Sequence, residues 1–144
     1  MRPKDVKIVA IPQIDERSLI KVGDGYVLTI HPTWLEQYAL AEGDNVIQIL
    51  DEEEKRILIV PWNKEREEKI KKKVGEERVN VNKIMKFGNS WGVYVRTGWV
   101  EKLKLAEGDK LLALSNYGMS FERFTIEKKK EFHEKFKVME EWMI

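Results

Sequence analysis

The chain has 144 residues, 42% apolar and 35% charged, with 26 Lys and Arg against 25 Asp and Glu for a net charge of +1. That much apolar side chain excludes wholesale disorder, while the near-zero net charge removes a global attraction for nucleic acid and leaves only a local one open. Cysteine is absent, which excludes disulfides, thiolate metal sites and cysteine nucleophiles, and no run of about 18 apolar residues offers a membrane span.

No apolar stretch follows the start at Met1-Arg2-Pro3-Lys4, so no secretory signal is expected and the cytoplasm is the expected compartment. Abundant Lys and Glu without Cys is also a composition common in thermophiles.

An N-terminal extension, residues 1–17, precedes the first unit, 18–60. That unit opens with an apolar strand at Ser18 to Val22, a Gly23-Asp24-Gly25 turn and a second strand at Tyr26 to Ile30. Glycine reaches positive φ and Asp tolerates it, so a hairpin is expected. Pro32-Thr33 then opens a short helix carrying Leu35, Tyr38 and Ala39 at helical spacing, and Glu42-Gly43-Asp44 stops it. Strands follow at Asn45 to Leu50 and Ile57 to Val60, joined by the acidic turn Asp51 to Glu54.

Residues 61–77 separate this unit from the next. Trp62, Arg66, Ile70 and Val74 lie four apart among Lys and Glu, the pattern of a solvated helical connector.

The second unit, 78–126, repeats the first at a constant offset of about 65 residues. Lys21-Val22-Gly23-Asp24-Gly25-Tyr26 falls on Lys86-Phe87-Gly88-Asn89-Ser90-Trp91, and Trp34 falls on Trp99. Leu40-Ala41-Glu42-Gly43-Asp44 recurs letter for letter as Leu105-Ala106-Glu107-Gly108-Asp109. These matches in unbroken register point to duplication. Strands are expected at Val79 to Phe87, Val93 to Arg96, Lys110 to Ser115 and Phe121 to Ile126, with a helix opening at Thr97-Gly98. A ββαββ unit of this size is too small to bury a core alone and must pair, with its twin in the same chain or with a copy in another.

The tail, 127–144, places Phe132, Phe136, Met139 and Met143 on one stripe of a charged helix. The stripe either packs back on its own unit or docks on a partner chain, and its apolar surface makes a homodimer the expected assembly.

Lys86-Phe87-Gly88-Asn89-Ser90-Trp91-Gly92-Val93-Tyr94-Val95 and Leu105-Ala106-Glu107-Gly108-Asp109 resemble the strand–turn–strand and the Leu-x-x-Gly-Asp turn of the AbrB/MazE/SpoVT swapped-hairpin family. With their flanks, the matching stretches cover about two-thirds of the chain. The resemblance implies a mostly β fold with short helices: two tandem units exchange hairpins in one barrel, joined by a charged helix and followed by an amphipathic one. It also implies a regulator of transcription that binds double-stranded DNA through the face carrying the first strands and their turns. Carried over, the DNA-binding residues are Lys83, Lys86, Asn89, Ser90 and Arg96 in the second copy and Lys21 in the first. The other reading is an interaction module, such as an antitoxin whose C-terminal helix masks a cognate toxin.

Charge separates the copies. Between Ser18 and Val60, Lys21, Lys55 and Arg56 face Asp24, Glu36, Glu42, Asp44 and the acidic run Asp51 to Glu54. From Arg78 to Ser115 seven cations, Lys83, Lys86 and Arg96 among them, face only Glu101, Glu107 and Asp109. Cations that displace counterions make the second copy the expected DNA surface, unless these are ordinary solvated charges. Trp34 and Trp99 read as core or interface packing; Trp91, at the turn, stands either beside DNA or as a cap on the barrel.

Catalytic chemistry is thinly supplied. His31 and His133 are isolated, no metal-ligand spacing occurs, and the glycines lack the Gly-Lys-Ser/Thr of a phosphate loop. Neither an enzyme nor a cofactor is expected.

Overall fold

The computed structural model describes residues 13–115 and 118–131. The first half holds β1 (Gln13–Val22), β2 (Gly25–Ile30), α1 (Pro32–Gln37), β3 (Asn45–Asp51) and β4 (Arg56–Pro61). A connecting helix, α2 (Lys64–Val74), leads to the second half: β5 (Val79–Lys83), β6 (Met85–Phe87), β7 (Ser90–Val95), α3 (Thr97–Lys102), β8 (Lys110–Ser115) and β9 (Met119–Arg123). The chain is thus mostly β with short helices. A last helical stretch, 126–131, enters the tail, and the stripe Phe132, Phe136, Met139, Met143 lies outside the described residues.

The nine strands form one antiparallel sheet in the order β5-β3-β4-β9-β8-β1-β2-β7-β6. Its two edge strands, β5 and β6, are separated by Ile84 alone, so the sheet curls into a nearly closed barrel and edges are not left long and bare. Four of its neighbour pairs join the halves: β1 to β8, β3 to β5, β2 to β7 and β4 to β9.

The pairing obeys a two-fold rule. Ser18 opposite Lys110 recurs, halves exchanged, as Lys83 opposite Asn45. The rotation axis passes through the pairs Leu28 with Val93 and Leu58 with Ser120, where equivalent residues face one another. Tertiary structure therefore decides how a unit too small for a core finds one: each pairs with its twin in the same chain.

Four boundaries differ from the sequence expectation by more than one residue, among them the start of β7, which lies at Ser90 rather than Val93 because residues 90–92 pair with β6. β1 begins at Gln13 rather than Ser18, because residues 13–18 find a backbone partner in β8. The expected strand Val79 to Phe87 breaks at Ile84, whose N–H and C=O bond instead to Asp44 O and Gly43 N–H. β9 lies at Met119–Arg123 rather than Phe121 to Ile126, since Ser115 pairs with Met119 where its equivalent Leu50 pairs with Ile57, a return three residues earlier at the offset of 65.

The core collects Leu19, Leu28, Ile30, Trp34, Leu50, Ile57 and Ile59 from one half and Ile84, Val93, Trp99, Leu111 and Phe121 from the other. Trp34 is 2% and Trp99 4% exposed, so both act as packing residues. The Trp34 ring lies 6.5 Å from that of Phe121, carrying α1 across to the opposite half. By contrast α2 buries no residue; Asn63 caps it by accepting from the Arg66 N–H at 2.6 Å, and it is a solvated connector.

Helix ends repeat as closely as strands. Leu40 N–H bonds to Leu35 O at 2.8 Å, and Leu105 N–H to Val100 O at 3.0 Å. With Ala39 at φ 54° and Lys104 at φ 56°, these are Schellman closures made without glycine.

Candidate nucleic-acid interface

The strands β1, β2, β7 and β6 form a four-stranded ladder with a hairpin turn at each end. Val22 pairs with Gly25 and Phe87 with Ser90, leaving two-residue loops, Gly23-Asp24 and Gly88-Asn89. Gly23 has φ 62° and Gly88 φ 63°, the positive value that a II′ turn requires at its first central residue. Asp24, Asn89, Gly25 and Gly92 do not take positive φ. At Gly25 and Gly92 glycine serves close approach instead: a Cβ would lie 2.8 Å from the Tyr94 ring or 2.5 Å from Leu28 O.

The β2–β7 ladder runs antiparallel from Tyr26 opposite Val95 to Ile30 opposite Trp91, so the two turns project from opposite ends. At about 3.3 Å per residue the turn tips stand roughly 25 Å apart. One end collects Lys21, Asp24 and, just beyond Val95, Arg96. The other collects Lys86, Asn89, Ser90 and, just beyond Ile30, His31. Of the expected DNA-binding residues, Lys86, Asn89 and Ser90 therefore come together, while Lys21 and Arg96 meet at the far end. Lys83 is separate, on β5 opposite Asn45.

Lys21, Lys83, Lys86, Asn89 and Arg96 are exposed and Ser90 half-buried. The Lys21 ammonium sits 5.9 Å from the Tyr26 ring centre, and at the equivalent place Lys86 sits 5.5 Å from that of Trp91. Trp91 packs against the core and presents its face to a cation, a platform that holds a lysine while leaving its charge accessible. The five-residue spacing of each Lys–aromatic pair was visible in the sequence, but only the hairpin register brings the members side by side.

Arg96 is oriented by two contacts. Its guanidinium lies 5.5 Å from the Trp99 ring centre and donates to Asn80 Oδ1 at 3.0 Å. Asn80 donates to Asn82 Oδ1 at 2.7 Å, which also accepts from Gln48 Nε2 at 2.7 Å; Gln48 Nε2 reaches Tyr94 O at 2.6 Å. Gln48 is fully buried and its Oε1 has no partner among the described residues. Sequence reasoning missed this chain, because Gln48 reads as one polar residue in an apolar strand.

Charges of the second copy divide into two groups. Arg78 and Lys102 approach Glu52, in the acidic turn of the first copy, at 3.0 and 3.8 Å, and Arg123 lies 4.0 Å from Asp109. Among the described residues none of Lys21, Lys83, Lys86 and Arg96 is in an ion pair. Part of the charge asymmetry between copies thus joins the halves, while Lys86 and Arg96 stay at the ends of the four-stranded ladder.

His31 accepts from Thr33 N–H through Nδ1 at 3.1 Å and serves as the cap of α1. Among the described residues no group of three His, Asp or Glu could hold a metal ion, and no helix is long and apolar enough to cross a membrane. No family model matches the chain, and the comparisons with curated proteins and with solved structures give no match.

Proposed function

We propose that the chain is a regulator that binds double-stranded DNA through the ladder β1-β2-β7-β6, a single-chain version of the swapped-hairpin barrel of the AbrB/MazE/SpoVT family. The observation that carries the reading is the exposure of Lys21, Lys86 and Arg96 at the ladder ends, each within 6 Å of an aromatic ring centre and outside any ion pair among the described residues. Cations held in place without a carboxylate partner are what phosphate binding requires, since their neutralisation of phosphates releases condensed counterions. Asn89 and Ser90 add uncharged donors at a turn tip that a groove can admit. The cross-half pairing of β1 with β8 and β3 with β5 supports the family reading, because it gives each unit a first strand that closes on its twin.

The test is a titration of duplex DNA across salt concentrations. Three phosphate contacts give a log–log slope of roughly −3, and a homodimer using both faces roughly doubles it. Lys86→Ala flattens the slope by about one unit and weakens binding alike on all sequences. Absence of binding to any duplex at low salt overturns the function.

A further inference from the structure

The backbone of the ladder is symmetric but its ends are not. Around the axis at Leu28 and Val93, turn φ values agree to a degree, yet Asp24 stands where the other turn has Asn89, Gly25 opposes Ser90, and His31 opposes Arg96. A homodimeric barrel presents two identical turns and so suits a palindromic site. Here one chain supplies both turns, and duplication has been followed by divergence at the tips.

We propose that this protein reads a non-palindromic duplex in a single orientation, with the Gly88-Asn89-Ser90 tip seated on the backbone and the Asp24 tip turned away from it, while Lys21 and Arg96 behind that tip keep the weaker phosphate contacts. The inference rests on the DNA-binding reading above. The ends differ in where charge sits rather than in how much. At one, the Asp24 carboxylate occupies the exposed tip and the cations Lys21 and Arg96 sit behind it, Arg96 bonded to Asn80. At the other, Lys86 stands behind a tip made of an amide and a hydroxyl, both able to donate to phosphate oxygens. A carboxylate brought to a phosphate is a like-charge contact, so the Asp24 tip is excluded from the backbone wherever the Asn89 tip is seated.

Selection from a random duplex pool, followed by footprinting of the full chain, tests this. The expected site lacks two-fold symmetry, and protection is strong at one end and weak about 25 Å away. Asp24→Asn makes the tips alike: binding tightens about tenfold at low salt and protection extends to the second end. The reciprocal Asn89→Asp weakens binding about tenfold and removes protection at the first end. Both substitutions fall on exposed turn residues at ordinary φ; Gly25 is left alone because a side chain there meets Tyr94. A palindromic site, or an unchanged footprint with Asp24→Asn, overturns the single orientation while DNA binding stands. Failure to enrich any duplex overturns both.

Discussion

The amide of Gly43 donates to the carbonyl of Ile84 at 2.8 Å, and 65 residues further on Gly108 makes the same bond to Leu19, also at 2.8 Å. Each is closed by a return bond, Ile84 N–H to Asp44 O and Leu19 N–H to Asp109 O. The stretch repeated letter for letter in the sequence is therefore the clamp by which each half grips the first strand of the other. Within it Asp44 and Asp109 accept from Ala41 and Ala106 N–H at 2.9 and 2.8 Å, which sets the turn. Ile84 and Leu19 are buried, so these amides and carbonyls need one another in the absence of water.

Gly43 and Gly108 have φ of 90° and 85°, with nothing within 4 Å of an added Cβ. Replacing either by Ala imposes a backbone penalty alone, and each substitution is expected to destabilise by about 1–2 kcal/mol. Gly98, in α3 with ordinary φ and open space, makes the control: Gly98→Ala raises stability by up to about 1 kcal/mol. Urea denaturation of the three variants decides it, and equal effects of Gly43→Ala and Gly98→Ala would contradict the assignment of strain.

Gln48 sits in the interior where the equivalent residue of the other half is Ala113. Gln48→Glu replaces the amide that serves Asn82 and Tyr94 O with a carboxylate beside two acceptors, and about 3 kcal/mol of stability is expected to go at neutral pH. Burial raises the pKa of such a carboxyl in the folded state, so the loss is largest at high pH and shrinks as pH falls and the group protonates. Denaturation midpoints from pH 4 to 8 measure this. A penalty independent of pH would mean that water reaches the site.

Tyr38 links the halves at the far side of α1, donating to Gly118 O at 3.0 Å and lying 3.1 Å from Ser115 Oγ. Burial pushes its phenol above the usual value of 10, against the opposing pull of the Ser115 bond. A folded-state pKa above the unfolded one means that its contribution is whole below pH 10 and is lost as pH rises through the folded value. Tyr38→Phe should lower stability by about 1 kcal/mol at pH 7 and flatten the alkaline limb of the stability profile. An alkaline limb identical in the two proteins would exclude Tyr38 as its source. On the acid side, hydrogen bonding to Lys129 holds the Glu16 carboxyl below its usual range; that contribution is present above the unfolded pKa and fades as pH falls.

What the sequence determined by itself is local and repetitive. The Gly-rich turns mark hairpins, Pro32 and Thr97 open helices, and apolar runs mark strands, because these follow from φ preference and burial pattern within a few residues, whereas the structure alone chose Gly23 and Gly88 as the positive-φ residues. Repetition of Leu-Ala-Glu-Gly-Asp fixed the equivalence of the halves. Tertiary structure alone chose the partners of the strands: pairing within one chain and pairing across two chains need the same residues in the same order, and differ only in which copy closes on which. It decided also that β1 reaches back to Gln13, since a backbone hydrogen-bond partner in β8 carries no signature in residues 13–17. The same holds for charge. Composition made the second copy basic, but whether Arg78, Lys102 and Lys86 all remain available depends on where Glu52 comes to rest. It rests beside the first two and leaves Lys86 on the face of Trp91.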